Sequence, residues 1–331
     1  MRADQQVQGP AVPALPEAGP AELASQSREW EPQFPLNAGL VLGVHRRGSR
    51  DPAYQVDAAG AVWRTSWTPD GPATLRVLSS APGPDRAGPR IVGTAWGPGA
   101  GWILDRLPDL LGARDAPDAF QPVHPRLREL AARYPGLRLG RTGRVLEALV
   151  PAVLEQKVVG KEATRAWRLL LTWHGTPAPG PAPAGMRVPP PAATWAAIPS
   201  WDWHRAGVEG VRAVTIAGAA RVASSLERIC ARPGPVADQM LQSLPGIGPW
   251  TSAEVRQRAC GDPDAVSVGD YHLPAMVGWA LAGEPADDEG MRALLAPYEG
   301  QRHRAARLIE VGRAGPPRRG PRMSVRDYRG I

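Results

Sequence analysis

Two short stretches in the last third of the chain carry residue types suited to chemistry. In "SLPGIGPWTSAEV" (243–255), Gly246 and Gly248 lie just before an amphipathic run that begins with Pro249. Glycines at the start of a helix let an anion approach main-chain N–H groups, because no side chain blocks the way. In "SVGDYHLP", an isolated carboxylate, Asp270, follows Trp250 by 20 residues. A carboxylate can stabilise positive charge that develops as a bond breaks, so the pair indicates anion binding beside a reactive acid.

Both stretches also have an ordinary structural interpretation. The glycines could form a plain corner between two helices, and Asp270 could be the N-cap of a helix over "YHLPAMVGWAL". A capping role and a chemical role for Asp270 are compatible, and the residues by themselves leave both open.

The surrounding sequence predicts which elements position these stretches. Between Ala38 and Gly97, Gly, Pro and Asp separate the short β-prone runs "GLVLGVHRR", "AYQVDA", "AVWRTSWT", "ATLRVLSS" and "RIVGTAW". They predict an antiparallel sheet, on which "GWILDRLPDLLGA" packs as a helix kinked by its proline. After Pro122, apolar residues recur every three or four positions, which predicts helices. The fold class is therefore α+β, a sheet domain with a helix followed by an all-α domain containing a helix-hairpin-helix.

Composition shifts place the boundaries of these parts. We expect a disordered leader at 1–35, the sheet domain at 36–121 and the helical domain at 122–312. A Pro- and Gly-rich loop at 175–192 interrupts the helical domain, and a basic tail follows at 313–331.

Charge and cysteine content narrow the class of protein. Basic residues outnumber acidic ones by 39 to 32, with a pI near 10.1, and nearly all of them are arginine. This balance suits a phosphate-rich partner, although GC-rich coding would favour arginine as well. Two cysteines, Cys230 and Cys260, cannot form a four-thiolate zinc or iron–sulfur site and indicate no disulfide framework, so we expect a reducing, cytoplasmic environment. No run predicts a membrane span or signal peptide.

The hairpin and the aspartate segment resemble those of the helix-hairpin-helix DNA glycosylases. The motifs are "LQSLPGIGPWTSAEV" and "GDYHLP", supported by "RVLEALVPAVLEQKVVGKEATRAWRLLL" upstream and "MRALLAPYEGQRHRAARLI" downstream. The spacing of 20 residues between Trp250 and Asp270 is similar to the corresponding spacing in the 3-methyladenine DNA glycosylase II branch. The resemblance covers residues 122–312. It implies a monomeric, nucleoid-associated hydrolase that flips alkylated purines out of double-stranded DNA and removes them in base excision repair.

The resemblance also implies a role for individual residues. Asp270 would stabilise the oxocarbenium-like transition state of N-glycosidic cleavage. Contacts with DNA are expected from the inserted turn and from the hairpin, namely from Gln156, Lys157, Leu244, Gly246, Ile247, Gly248, Trp250 and Thr251. Lys157 departs from the apolar wedge of the best-known relatives; its methylene stem could fill the gap, or it could be a solvated surface lysine.

The pocket for the flipped base is expected to contain Trp250, Glu254 and Gln301. The indole of Trp250 would stack on a cationic purine, unless it is a core residue. Glu254 and Gln301 replace aromatic residues of the well-studied branch, which predicts a more polar pocket. Glu254 could attract a cationic base or could be an exposed helix charge.

The resemblance implies little need for cofactors. Trp250 occupies the position of the imine-forming lysine in strand-cutting relatives, so the reaction would be hydrolysis without lyase activity. No zinc or iron–sulfur cluster is expected, but backbone carbonyls of Gln242, Leu244 and Ile247 could hold a structural sodium or potassium ion. Two alternatives remain: a noncatalytic, damage-sensing DNA-binding protein, and a glycosylase for oxidised or deaminated bases.

Overall fold

The first part of the chain forms an antiparallel sheet covered by short helices. The structure of the protein is a computed structural model, which describes residues 24–81, 83 and 87–317. The spatial strand order is β1-β5-β4-β3-β2. The strands are β1 (Gln26–Trp30), β2 (Tyr54–Val56), β3 (Val62–Thr68), β4 (Gly71–Ser79) and β5 (Ile91–Trp96). The helices are α1 (Ala38–Leu42), α2 (Ala100–Asp105) and α3 (Leu107–Leu110), the last two being one predicted helix broken at Arg106.

Two predictions for this part were wrong. Residues 26–30, assigned to the disordered leader, form the edge strand β1, which pairs with β5 and is held by an ion pair between Glu29 and Arg90. The run "GLVL", predicted as a strand, lies in α1, because the Asn37 side chain accepts a hydrogen bond from the Leu40 N–H and caps the helix. The predicted leader otherwise falls on residues 1–23, outside the described residues.

The second part of the chain is helical, as predicted. Its helices are α4 (Pro125–Arg133), α5 (Val145–Leu154), α6 (Gly160–His174), α7 (Ala192–Ala197), α8 (Ser200–Ala206), α9 (Gly210–Arg221), α10 (Ala223–Leu226), α11 (Gly234–Gln242), α12 (Pro249–Val255), α13 (Leu273–Ala282), α14 (Asp288–Leu295) and α15 (Arg302–Val311). Nine of the ten residues of α5 are buried, and the helix packs against α6, α9 and α12. A helix that is apolar on nearly every side belongs in a protein core, so α5 is the centre of this part. The α+β fold class is confirmed.

The Pro- and Gly-rich segment 175–192 is an ordered connection. It contains a two-stranded ribbon, β6 (Thr176–Pro177) and β7 (Arg187–Val188), and ends where α7 begins. Met186 packs with Trp63 and Trp96, whose rings stack with centroids 5.4 Å apart. The segment therefore covers part of the sheet.

Polar contacts join the sheet part to the helical part. Trp167 donates its indole N–H to Asp51 at 2.8 Å, and two ion pairs join Arg64 to Glu147 and Asp115 to Arg304. The proposed boundary between residues 121 and 122 stays a prediction. At the other end, the expected loose tail begins later than 313: Ala314 is buried against α15 and its neighbours, and residues 318–331 lie outside the described residues.

The two cysteines form a disulfide, which corrects the expectation that they would not. Cys230, before α11, is bonded to Cys260, which ends the π-helical turn after α12. The residues are 30 apart in the chain, and the fold brings their Cα atoms to 4.8 Å. In the described ranges, no helix is long and apolar enough to cross a bilayer.

Candidate active site

The hairpin between α11 and α12 has the geometry that its glycines predict. Gly246 has φ +83°, and an added Cβ atom would lie 2.1 Å from the Thr215 hydroxyl oxygen. Only glycine fits there without strain. Gly248 has φ −99°, and a Cβ atom at this position would meet no other atom within 4 Å. The backbone at the start of α12 is therefore open to an incoming group, while Gly246 is packed.

The turn between α5 and α6 is fastened to this hairpin. The Gln156 side-chain amide donates to the Gly246 carbonyl at 3.0 Å and to the Thr251 hydroxyl at 2.8 Å. Lys157 is exposed and has φ +54°, a left-handed conformation that is uncommon outside glycine. The turn predicted to enter DNA therefore presents Lys157 beside the glycine turn, with Gln156 as the link.

The side chains of the predicted hairpin contacts differ in exposure. Those of Ile247 and Thr251 are buried, and Leu244 packs against the core as a half-buried residue. A phosphate can therefore meet Ile247 and Thr251 only through their main chain.

Asp270 links the hairpin helix to the following helix. Its Oδ2 accepts a hydrogen bond from the Trp250 indole N–H at 3.0 Å. Its Oδ1 accepts from the main-chain N–H groups of His272 and Leu273 at 2.8 and 2.9 Å. The capping geometry at α13 is thus present, and it holds the carboxylate in place. The neighbouring Tyr271 is 81% exposed and its ring contacts His272; sequence reasoning gave neither residue a role.

A cavity of about 190 Å³ opens beside Asp270 and Trp250. Its lining comes from α1, from residues 138–140, from one face of α12 and the π-helical turn, and from α15. Sites for drug-sized ligands usually measure about 300–1,000 Å³, so a space of this size suits a smaller group such as one nucleobase. Trp250 and Glu254 both lie in the lining, as expected of base-pocket residues.

Glu254 is buried, which corrects the alternative that it is an exposed helix charge. Its carboxylate pairs with Arg258 at 2.7 Å and accepts a hydrogen bond from the Ser267 hydroxyl at 2.6 Å. Gln301 does not line the cavity, which corrects its assignment to the base pocket. It precedes α15, and its side-chain oxygen accepts a hydrogen bond from Arg304.

The residues that α15 does contribute were missed by sequence reasoning. His303, Ala306, Arg307 and Glu310 line the cavity from this helix. They are spaced i, i+3, i+4 and i+7 and so share one helix face, a pattern visible in "RHRAARLIEV". Val41 and Val44, from α1 and the turn after it, also lie in the lining and carried no sequence signal.

Metal binding is addressed by two observations. Within the described part of the chain, no three His, Cys, Asp or Glu side chains lie together as a metal site would require. The predicted alkali-ion site instead uses hairpin carbonyls, of which that of Leu244 accepts a hydrogen bond from the Ile247 N–H at 3.1 Å. A carbonyl oxygen has a second lone pair, so this bond is compatible with the ion, which stays a prediction.

Comparisons with known proteins bear on this fold and hairpin. No protein-family model matches the chain. A curated protein of Mycobacterium tuberculosis strain H37Rv, "Probable bifunctional transcriptional activator/DNA repair enzyme AlkA", is 32% identical over 172 residues, 51% of this chain and 34% of that protein. The chain thus spans about a third of the length of the curated relatives it matches.

Solved structures show the same fold. The 3-methyladenine DNA-glycosylase of Archaeoglobus fulgidus superposes with a TM-score of 0.71 at 18% identity, covering 86% of this chain and 98% of that one. The chain therefore shares the fold of this DNA glycosylase. An 8-oxoguanine glycosylase/lyase of Clostridium acetobutylicum also shares the fold of this chain, with a TM-score of 0.62 at 11% identity over 88% of this chain and 98% of that one.

Proposed function

We propose that this protein is a helix-hairpin-helix DNA glycosylase of the 3-methyladenine glycosylase II-like branch, a monofunctional enzyme of base excision repair that hydrolyses the N-glycosidic bond of alkylated purines in double-stranded DNA. The observation that carries the proposal is the placement of Asp270. This carboxylate lines a base-sized cavity, is bonded to Trp250 of the hairpin helix, and follows a glycine turn open to phosphate.

The reaction follows from this arrangement. A purine in stacked duplex is out of reach, so the nucleotide rotates out and its base enters the cavity beside Trp250. Positive charge develops on the sugar as the base departs, and the Asp270 carboxylate stabilises that charge. The same carboxylate can orient and deprotonate the attacking water. The products are a free purine and an abasic site.

The hydrolytic outcome follows from the positions of the lysines. Lys157 and Lys161 are the lysines of the chain; Lys157 lies in the turn between α5 and α6 and Lys161 in the first turn of α6, and neither lies in the hairpin. Trp250 stands in the hairpin helix beside Asp270, where an imine-forming amine would be needed for strand cleavage. We therefore propose hydrolysis without lyase activity.

The test is incubation of the full chain with duplexes that each carry one modified purine. We expect release of the free base and strand breaks only after alkali treatment, measured by chromatography of the base and by denaturing electrophoresis. Strand cleavage without alkali would contradict the monofunctional assignment. Tight binding to damaged duplex without release of any base would favour a noncatalytic damage sensor, and release restricted to oxidised or deaminated bases would favour the alternative glycosylase.

The two hairpin glycines provide a matched test of how DNA is held. We expect Gly248→Ala to leave the melting temperature nearly unchanged, because its methyl group meets open space and its φ suits any residue. The same methyl group would block a phosphate from the α12 amides and weaken duplex binding about tenfold, the loss of one charge-assisted hydrogen bond. Binding is measured by fluorescence anisotropy with a labelled duplex.

Gly246→Ala serves as the contrast. Its methyl group meets Thr215 and its backbone is left-handed, so we expect a lower melting temperature, with about 1–2 kcal/mol lost to the backbone conformation before any clash is counted. Full DNA affinity in Gly248→Ala at low and moderate salt would show that no phosphate lies against this turn.

The remaining expectations about partners and place extend the proposal. We propose that the protein acts as a monomer on DNA in the cytoplasm, associated with the nucleoid, and that a sodium or potassium ion held by the carbonyls of Gln242, Leu244 and Ile247 stiffens the hairpin. The excess of arginine supports a phosphate-rich partner.

A further inference from the structure

His303 is an unusual member of the cavity lining. It lies in the first turn of α15, is only 9% exposed, and borders the same cavity as Asp270 and Trp250. Its ring has no hydrogen-bond or ion-pair partner in the part of the chain that the structure describes, and its nitrogens are not among the fully buried atoms that lack a partner. Water in the cavity can satisfy such a ring, and a ligand that enters can replace that water with hydrogen bonds of its own.

Most other polar side chains of the lining are already occupied. Glu254 pairs with Arg258, and Glu155 pairs with Arg47 at 2.8 Å. On α15 itself, Arg307 pairs with Glu310 at 3.1 Å. Gln257 donates to Ser267, and Arg138 donates one terminal N–H to the Asp115 carbonyl, while its Nε has no partner. Apart from Asp270, His303 is therefore the lining side chain whose ring offers both a donor and an acceptor to a ligand.

We propose that His303 is a specificity-determining residue that reads the hydrogen-bonding edge of the flipped base and favours an uncharged damaged purine. This inference rests on the proposed function, since it assumes that a base enters the cavity. Neutral imidazole offers one N–H donor and one nitrogen acceptor, which can pair with an acceptor and a donor on a purine edge. The ring-closed alkylation adduct ethenoadenine is an uncharged modified purine, whereas 7-methylguanine in DNA carries a positive charge.

The charges around the ring support the preference. Burial, and after it the guanidinium groups of Arg307 and Arg258, hold the pKa of His303 well below its usual value. Surroundings that oppose a proton on this ring also oppose a positive charge on a base placed against it. The carboxylates of Glu254, Glu155 and Glu310 face the cavity too and are each paired with an arginine, whereas the Asp270 carboxylate accepts hydrogen bonds only from N–H groups. The preference for an uncharged base is therefore local to the surroundings of the His303 ring.

The test compares three variants on two kinds of duplex under single-turnover conditions. His303→Leu removes both hydrogen-bonding atoms, His303→Asn keeps a donor and an acceptor, and His204→Leu is the matched control at an exposed histidine on α8. We expect His303→Leu to slow release of ethenoadenine about 10- to 100-fold, the cost of an unpaired group on the base edge. Release of 7-methylguanine should fall less than about threefold, since its recognition does not depend on this hydrogen bond.

The outcomes separate this inference from the proposed function. Partial recovery of ethenoadenine release in His303→Asn, with wild-type rates in His204→Leu, would support a hydrogen-bonding role. Equal losses on both kinds of duplex, or no loss in His303→Leu, would overturn the inference and leave the glycosylase proposal standing. A wild-type chain that releases no base from any duplex would overturn both.

Discussion

Asp270→Asn is expected to abolish base release while the protein still folds and binds DNA. An amide oxygen at Oδ1 can still accept the hydrogen bonds from the His272 and Leu273 N–H groups, and asparagine caps helices about as well as aspartate. The negative charge is lost, so the oxocarbenium-like transition state loses its stabilising partner. Removal of one such electrostatic contribution typically costs about 10²–10³-fold in rate, and loss of the water-orienting base adds about 10²-fold or more.

The measurement is single-turnover release of a modified purine by wild type and Asp270→Asn at equal occupancy of the duplex. The substitution also removes one hydrogen bond, because the new amide N–H₂ cannot accept from the Trp250 indole N–H. This loss lowers the free energy of unfolding by about 1 kcal/mol. Melting temperatures and affinity for a duplex with an abasic-site analogue control for this loss. A variant that keeps more than a tenth of the wild-type rate would assign the chemistry to another group.

Loss of the Cys230–Cys260 bond is expected to destabilise the folded protein strongly. The bond closes a loop of 30 residues that contains the whole hairpin. On the chain-entropy account, a cross-link over a loop of this length lowers the free energy of the folded state relative to the unfolded chain by about 3–4 kcal/mol. The double variant Cys230→Ala/Cys260→Ala should show that loss in urea denaturation.

Reduction supplies the matched control for that experiment. Dithiothreitol should lower the denaturation midpoint of the wild-type chain and leave that of the double alanine variant unchanged. Identical midpoints for oxidised wild type and the double variant would show that the cross-link does not restrict the unfolded chain.

The hairpin and the aspartate could be predicted from the sequence because the residues that specify them lie close together in the chain. Gly246, Gly248 and Pro249 specify a turn and a helix start within a few residues, and Asp270 follows at a fixed step along the chain. The sequence could not decide between capping and chemistry for Asp270, since a carboxylate at this position can do both. The hydrogen bonds from the His272 and Leu273 N–H groups show how Asp270 is held at the start of α13, and its chemical role stays a prediction.

The expected base pocket was harder to predict from the sequence, because its lining is assembled from distant parts of the chain. Gln301 was selected by position, but α15 begins after it and directs His303 and Arg307 into the cavity instead. The Arg258 partner of Glu254 is one helical turn away and is readable from spacing, whereas its Ser267 partner comes from another segment.

Each of the three errors in the fold has its own physical reason. The strand β1 is short, polar and at the edge of the sheet, so its pairing with β5 outweighs a weak local preference. The stretch containing Val41 reads as β-prone, but the Asn37 cap starts a helix there. The disulfide joins cysteines whose proximity only the packing of the hairpin creates.

Helix α1 and the turn after it bring residues of the sheet part into the wall of the cavity. Val41 and Val44 border the space beside Asp270, and the Val44 carbonyl accepts a hydrogen bond from Arg258. A fragment starting after residue 121 would keep every group assigned to chemistry but would lose this wall, which would open the space more widely to solvent. Bulk water would then weaken the charge interactions there, because its dielectric constant far exceeds that of a protein interior. Under the proposed function, shielding the reaction from water is thus a task shared by the part of the chain that contributes no reacting group.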